Sequence, residues 1–329
     1  MTALALLVAL TLSLFTAPLS VDAQKPAKVS RIGMLRPGSP PAGSSPNLDA
    51  FRQGMHDLGY IEGQHFIVES RWAEGSDERL HDLAAELVRL QVDIIMAAGV
   101  LATHAAQQAT RTLPIVMLGV YDPVGAGLVA SLARPGGNIS GLSTLGLELA
   151  GKRLEILKET VPQLARVAVL ANPAAPPHKV FLENLAVVSR ALGLKLQMLE
   201  VRSPDELDKA FAALTHAGAE ALFVLPDPPM LDRLDRRIVD LTAQHRLPAI
   251  YPFKSSVDAG GLMSYAPRLP DIYRRAAYYV HRILQGASPA DLPVEQPSTF
   301  ELVINLKAAK ALGLTIPPAM LFQADEVMQ

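Results

Sequence analysis

The chain has 329 residues, 30 of them basic and 32 acidic, a formal net charge of −2, and a hydrophobic content of 50%. That length suffices for two domains of ordinary size, and the apolar content excludes an intrinsically disordered chain. No cluster of Lys or Arg offers a phosphate-binding face, which excludes nucleic acid as a partner, and the lack of any cysteine excludes disulfides, thiolate metal sites and thiol catalysis.

In chain order, the first segment is MTALALLVALTLSLFTAPLSVDAQ, uncharged until Asp22. An apolar stretch from Ala3 to Phe15, then Pro18 and the small residues before Gln24, predicts a signal peptide over residues 1–23, although no Lys or Arg precedes the stretch. Its Ser, Thr and Pro content argues against a retained membrane-spanning helix. With no cysteine for a lipid anchor, an exported chain of this kind is expected in the periplasm, where it is retained.

Apolar runs of strand type then alternate with amphipathic helical runs. RIGMLRPG reads as a strand that ends in a Pro-Gly loop, and PNLDAFRQGMHDLGY as a helix with Leu48, Phe51, Met55 and Leu58 on one stripe. HFIVESRW, VDIIMAAG and LPIVMLGV read as strands, DERLHDLAAELVRL and LATHAAQQAT as helices, GAGLVASL as a short helix and ISGLS as one more strand. The pattern restarts with the helix ELAGKRLEILKETVP and continues through the strands RVAVLANP, LKLQMLEV and AEALFVLPDP with helices between them. PAIYP and GLMSYAP are short strands, DIYRRAAYYVHRILQG is a helix, and the chain closes on strand-like FELVINL and the segment KAAKALGL. Such alternation predicts parallel sheets covered on both faces. The strands are too many for one sheet, so the expected architecture is α/β, with two doubly wound lobes.

One motif suggests redox chemistry. Gly125 to Ala130 matches the G-x-G-x-x-A spacing of a dinucleotide turn. A true turn of that kind places its first glycine directly after the strand, whereas Tyr121 to Val124 intervene here and Pro123 breaks the transition. The spacing is instead read as glycines that let a helix start pack closely on the sheet. The eight histidines never pair at metal-ligand spacing, and neither G-x-S-x-G nor a P-loop occurs. No catalytic residue, metal or cofactor is expected.

The loops at strand C-termini remain, where open α/β sheets bind ligands. They contain Arg36-Pro37-Gly38-Ser39, Ala98-Gly99-Val100, Val120-Tyr121-Asp122, Asn172-Pro173, Pro226-Asp227-Pro228 and Tyr251-Pro252-Phe253. This set suits a small zwitterion: helix N-termini for a carboxylate, an Asp for an ammonium and aromatic faces for an apolar side chain.

The stretches FRQGMHDLGYIEGQHFIVESRWAEG, DPVGAGLVASLARPGGNISGLS, LPAIYPFKSSVDAGGLMSYAP and FELVINLKAAKALGLTIPPAMLFQADEV are similar to the family of ABC-transporter substrate-binding proteins related to tryptophan- and tyrosine-binding members. The resemblance runs from about Arg31 to Val327. It implies a type I periplasmic-binding-protein fold, two Rossmann-like lobes joined by a three-crossing hinge, and no catalysis. It implies a monomer that takes a small molecule, an amino acid or similar organic acid, and presents it to an ABC permease in the inner membrane. A ligand-sensing protein for a membrane signalling partner and a secreted two-lobed enzyme are the alternatives. The expected lobes are residues 30–143 plus 264–288 and residues 144–263 plus 289–329. The expected ligand-binding residues are Ser39, Gly99, Tyr121 and Asp122 in the first and Asn172, Asp227, Tyr251 and Phe253 in the second. Asp122 or Asp227 is expected to hold an ammonium, and the Gly99 loop a carboxylate. The sequence departs from the family pattern at Arg36-Pro37, Gly99-Val100-Leu101 and Tyr121, which leaves the ligand open.

Overall fold

A computed structural model describes residues 28–41, 43–173, 178–226 and 228–329. The expected signal peptide lies outside these residues. The first lobe runs β1 (Ser30–Arg36), α1 (Pro46–Asp57), β2 (Phe66–Trp72), α2 (Asp77–Arg89), β3 (Ile94–Ala98), α3 (Gly99–Ala109), β4 (Ile115–Val120) and β5 (Ile139–Ser143). Its strands form a parallel sheet in the order β2-β1-β3-β4-β5.

The second lobe begins with α4 (Gly146–Thr160), β6 (Arg166–Ala171), α5 (His178–Ala191), β7 (Lys195–Glu200), α6 (Pro204–Ala217), β8 (Ala221–Val224), α7 (Pro228–Gln244), β9 (Ala249–Tyr251), α8 (Lys254–Asp258) and β10 (Met263–Pro267). The chain then returns through α9 (Leu269–Leu284) and a 3-10 turn, and closes on β11 (Phe300–Asn305), α10 (Leu306–Leu312), α11 (Pro318–Gln323) and β12 (Glu326–Met328). The second sheet has the order β12-β11-β10-β9-β8-β6-β7, with only the β10–β11 pair antiparallel.

The sequence explains these elements locally. Ser45 caps α1, accepting from the Leu48 N–H, with Pro46 in the first turn where its missing donor costs nothing. Strands buried on both faces need apolar residues at every position, and alternate residues feed opposite cores. Ile32, Met34, Ile94 and Met96 pack under α1 and α9, while Leu35, Ile95, Ala97 and Met117 pack under α2 and α3. The second sheet divides likewise, with Val167, Val169 and Phe223 on one face and Ala168, Leu170 and Leu222 on the other.

Two expectations change. GAGLVASL is a series of turns, not a helix. The Asp122 carboxylate accepts from the Gly125 N–H at 2.8 Å, and the Pro123 carbonyl accepts from both Leu128 and Val129. A Cβ on Gly125 would lie 2.0 Å from Asp122 Oδ2, so this glycine makes room for an Asx turn and not for helix–sheet packing. The lobe boundaries also move. β10, expected to open the return to the first lobe at 264, instead pairs between β9 and β11 in the second sheet. The return is α9, whose apolar stripe packs on α1. It extends to Glu295, which bridges to β5 through Gly141 and Ser143, beyond the expected limit of 288. The chain therefore passes between the lobes three times: after Ser143, after Pro267 and after Glu295.

Candidate functional site: the cleft between the lobes

The C-terminal ends of strands from both sheets face a cleft of about 770 Å³. That is within the range of small-molecule pockets, roughly 300–1,000 Å³. The first lobe supplies the turn after β1, Trp72 at the end of β2, the β3–α3 junction and Tyr121 after β4. α9 adds Tyr273. The second lobe supplies Arg153 from α4, Asp235 from α7, the segment after β9, and the ends of β11 and β12.

Four of the expected residues line this cleft: Ser39, Gly99, Tyr121 and Phe253. Gly99 opens α3 at φ +78°, a conformation that favours glycine, and a Cβ there would meet open space. No side chain caps α3, so its first amides carry no capping acceptor. Tyr121 leans out of the first lobe onto the second. Its hydroxyl donates to the Pro226 carbonyl at 3.4 Å, and its ring meets Phe181 edge-on at 5.6 Å. A Cβ on Gly146 would sit 2.7 Å from Tyr121 Cβ, so a glycine at this first crossing admits the contact.

The structure directs three of the others elsewhere. Asp122 is spent on the Gly125 amide and is not among the cleft-lining residues. Tyr251 is fully buried in the core under α6 and α7, its hydroxyl 2.9 Å from Thr242 Oγ1. Burial pushes its phenol well above the usual tyrosine value. β9 still belongs to the sheet at Tyr251, and the chain reaches the cleft only at Pro252 and Phe253. Asn172 follows β6 and does not line the cleft. Asp227 lies outside the described residues.

Eight charged groups outside the expected ligand-binding set line the walls. Arg36, Arg153, Lys254 and Arg268 face Asp235, Asp258, Glu301 and Glu326. Lys254 pairs with Asp258 at 2.6 Å and Glu326 at 3.2 Å, and Arg268 approaches Glu301 at 3.6 Å. Among the described residues, no acid pairs with Arg36 or Arg153. The Arg36 guanidinium lies 4.4 Å over the Trp72 ring and 5.5 Å from that of Tyr273, with Ser45 Oγ accepting at 3.4 Å. Arg153 is 3% exposed, and burial pulls its guanidinium down to about 10. Asp235 accepts from Ser256 Oγ at 2.6 Å, and burial raises its carboxyl above the usual range despite that bond. A sequence signal for Arg153 existed: it shares a helical stripe with Leu149, Ala150, Ile156 and Leu157, all buried.

Two sheets of this topology, joined by three crossings over a lined cleft, define a type I periplasmic binding protein. Among solved structures, a conserved domain protein of Vibrio cholerae superposes with a TM-score of 0.83 at 28% identity, over 91% of this chain and 100% of that one. A Streptococcus pneumoniae ABC domain in complex with L-Trp superposes with a TM-score of 0.80 at 27% identity, over 91% and 100%. A curated relative, the tyrosine-binding protein of Clostridioides difficile, is 28% identical over 275 residues, 82% of this chain and 78% of its own length. The profile of ABC transporter substrate binding proteins matches residues 43–328, and the chain belongs to that family. Among the described residues, no helix is long and apolar enough to cross a membrane.

Proposed function

We propose that this protein captures an amino acid, aromatic by preference, between its lobes and delivers it to an ABC permease in the inner membrane. The observation that carries the reading is the mixed chemistry of the cleft. Trp72, Tyr121, Phe253 and Tyr273 offer aromatic faces, while Arg36, Arg153 and Asp235 are charges of both signs without an opposite charge among the described residues. A zwitterion with an aromatic side chain complements that set, with Asp235 in place of the expected Asp122 for the ammonium. The tyrosine- and L-Trp-binding relatives support the same class. Closure turns on the three crossings, with Tyr121 already seated on the second lobe. Export through residues 1–23 places the protein in the periplasm as a monomer.

The test is thermal unfolding against amino acids, organic acids and sugars. A ligand at about a hundred times its dissociation constant stabilises the fold by roughly 2.7 kcal/mol, a rise of a few degrees for a chain of this size. We expect that rise with aromatic amino acids. A rise confined to sugars would overturn the reading.

A further inference from the structure

We infer that the ligand carries a carboxylate and that Arg153, with Thr144, reads it at the cleft wall beside the first crossing. This rests on the cleft being the ligand site. The Arg153 Nε donates to the Tyr265 carbonyl at 2.7 Å and Nη2 points to the Pro252 carbonyl at 3.5 Å. These two acceptors fix the guanidinium plane and leave Nη1 buried with no acceptor among the described residues. Thr144 follows β5, is 7% exposed, and its buried Oγ1 also has no partner among the described residues. Both residues line the cleft.

A guanidinium held out of water with one face unanswered is unfavourable in the ligand-free protein. The matching group is an anion with two acceptor oxygens, one for Nη1 and one for the hydroxyl. The rest of the cleft selects among anions. Its four lining cations are balanced by four lining acids, so a dianion such as a phosphate monoester meets as much repulsion as attraction. A carboxylate carries the single charge that Arg153 lacks. The amides that open α3, the position expected for a carboxylate from sequence, offer no formal charge. Arg153 therefore sets specificity, and its two carbonyl contacts orient it.

The test uses matched probes by calorimetry on the protein purified after export: L-tyrosine against L-tyrosinamide and tyramine, L-tryptophan against L-tryptophanamide, benzoate against benzamide, and phenyl phosphate. The wild type is expected to prefer each carboxylate by about 100-fold, the upper scale of a lost hydrogen bond between charged groups. Arg153→Met should reduce that preference below about fivefold without losing the amides, and Thr144→Val should reduce it about tenfold. Amides bound as tightly as acids by the wild type, a preference that survives in both variants, or preference for phenyl phosphate would each overturn the assignment. If no probe binds, the amino-acid reading fails, and unfolding without ligand decides Arg153. Arg153→Met melting at or above the wild-type temperature supports a charge kept for a ligand; a lower temperature makes Arg153 a staple of α4 and overturns the inference.

Discussion

The two walls of the cleft are built from different materials. Apart from Arg268 at the second crossing, the first lobe contributes a single charge, Arg36, and shields it between Trp72 and Tyr273. The second lobe contributes Arg153, Asp235, Lys254, Asp258, Glu301 and Glu326. The first wall is made of backbone turns and aromatic planes, the second of ions held by carbonyls, hydroxyls and one another. A rigid, apolar wall can set shape at little electrostatic cost. A wall of partly desolvated ions costs stability until a ligand completes it. The comparison therefore assigns shape to the first lobe and charge recognition to the second, and it can be broken at either wall.

The largest effect belongs to the backbone that holds the first wall. Gly141 on β5 lies opposite Met117 on β4 at φ +133°, and a Cβ would lie 2.3 Å from the Met117 carbonyl oxygen. Gly141 also accepts from Glu295 at the third crossing. Gly141→Ala is expected to destabilise the first lobe by about 3 kcal/mol, from overpacking and strain at positive φ. Denaturant unfolding followed separately through Trp72 and through far-UV signal should show the first lobe melting early. Unchanged unfolding would mean that β4 and β5 can part without loss, and the first wall is not a rigid frame.

Next in size is the aromatic plane. Trp72 is the only tryptophan in the chain and it lines the cleft, so it reports on occupancy. A non-indole ligand should change its emission. Phe in its place keeps a weaker face for Arg36, and Trp72→Ala removes it. The expected loss is about tenfold in affinity for Ala and less for Phe, read by calorimetry. An emission that ignores a bound ligand would move the ligand away from the first wall.

What the sequence made legible follows the same division. Strands buried on both faces announce themselves as unbroken apolar runs, so both sheets and their parallel sense could be read. Sheet membership could not: MSYAP reads as a strand wherever it pairs, and only its seat between β9 and β11 places it in the second lobe. Loops at strand ends located the cleft, but a loop does not fix side-chain direction. Asp122 found a nearer donor in Gly125, and Tyr251 remained in the core facing α7. The second wall was largely hidden because its ions come from helices and from strands distant in sequence. Arg153 is the exception, since a charge on the buried stripe of α4 is visible in the helical spacing itself.

The smallest effect tests whether the second wall's ions oppose folding. Burial raises the Asp235 carboxyl above its unfolded value, and the Ser256 hydroxyl offsets only part of that. Between the unfolded and folded pKa, the native state therefore binds more protons than the unfolded chain, and this group's contribution makes stability fall as pH rises through that window. Above it the penalty is constant. Asp235→Asn removes the penalty while keeping an acceptor for Ser256, so the ligand-free variant should melt a few degrees higher at neutral pH and converge on the wild type in acid. The same variant should bind an amine-bearing ligand more weakly, because Asn cannot answer an ammonium with charge. Melting curves across the acid range, with and without L-tyrosine, separate the two effects. A variant that melts lower at neutral pH would show that Asp235 stabilises its own lobe, and the division between a wall of shape and a wall of charge held for a ligand would fail at this residue.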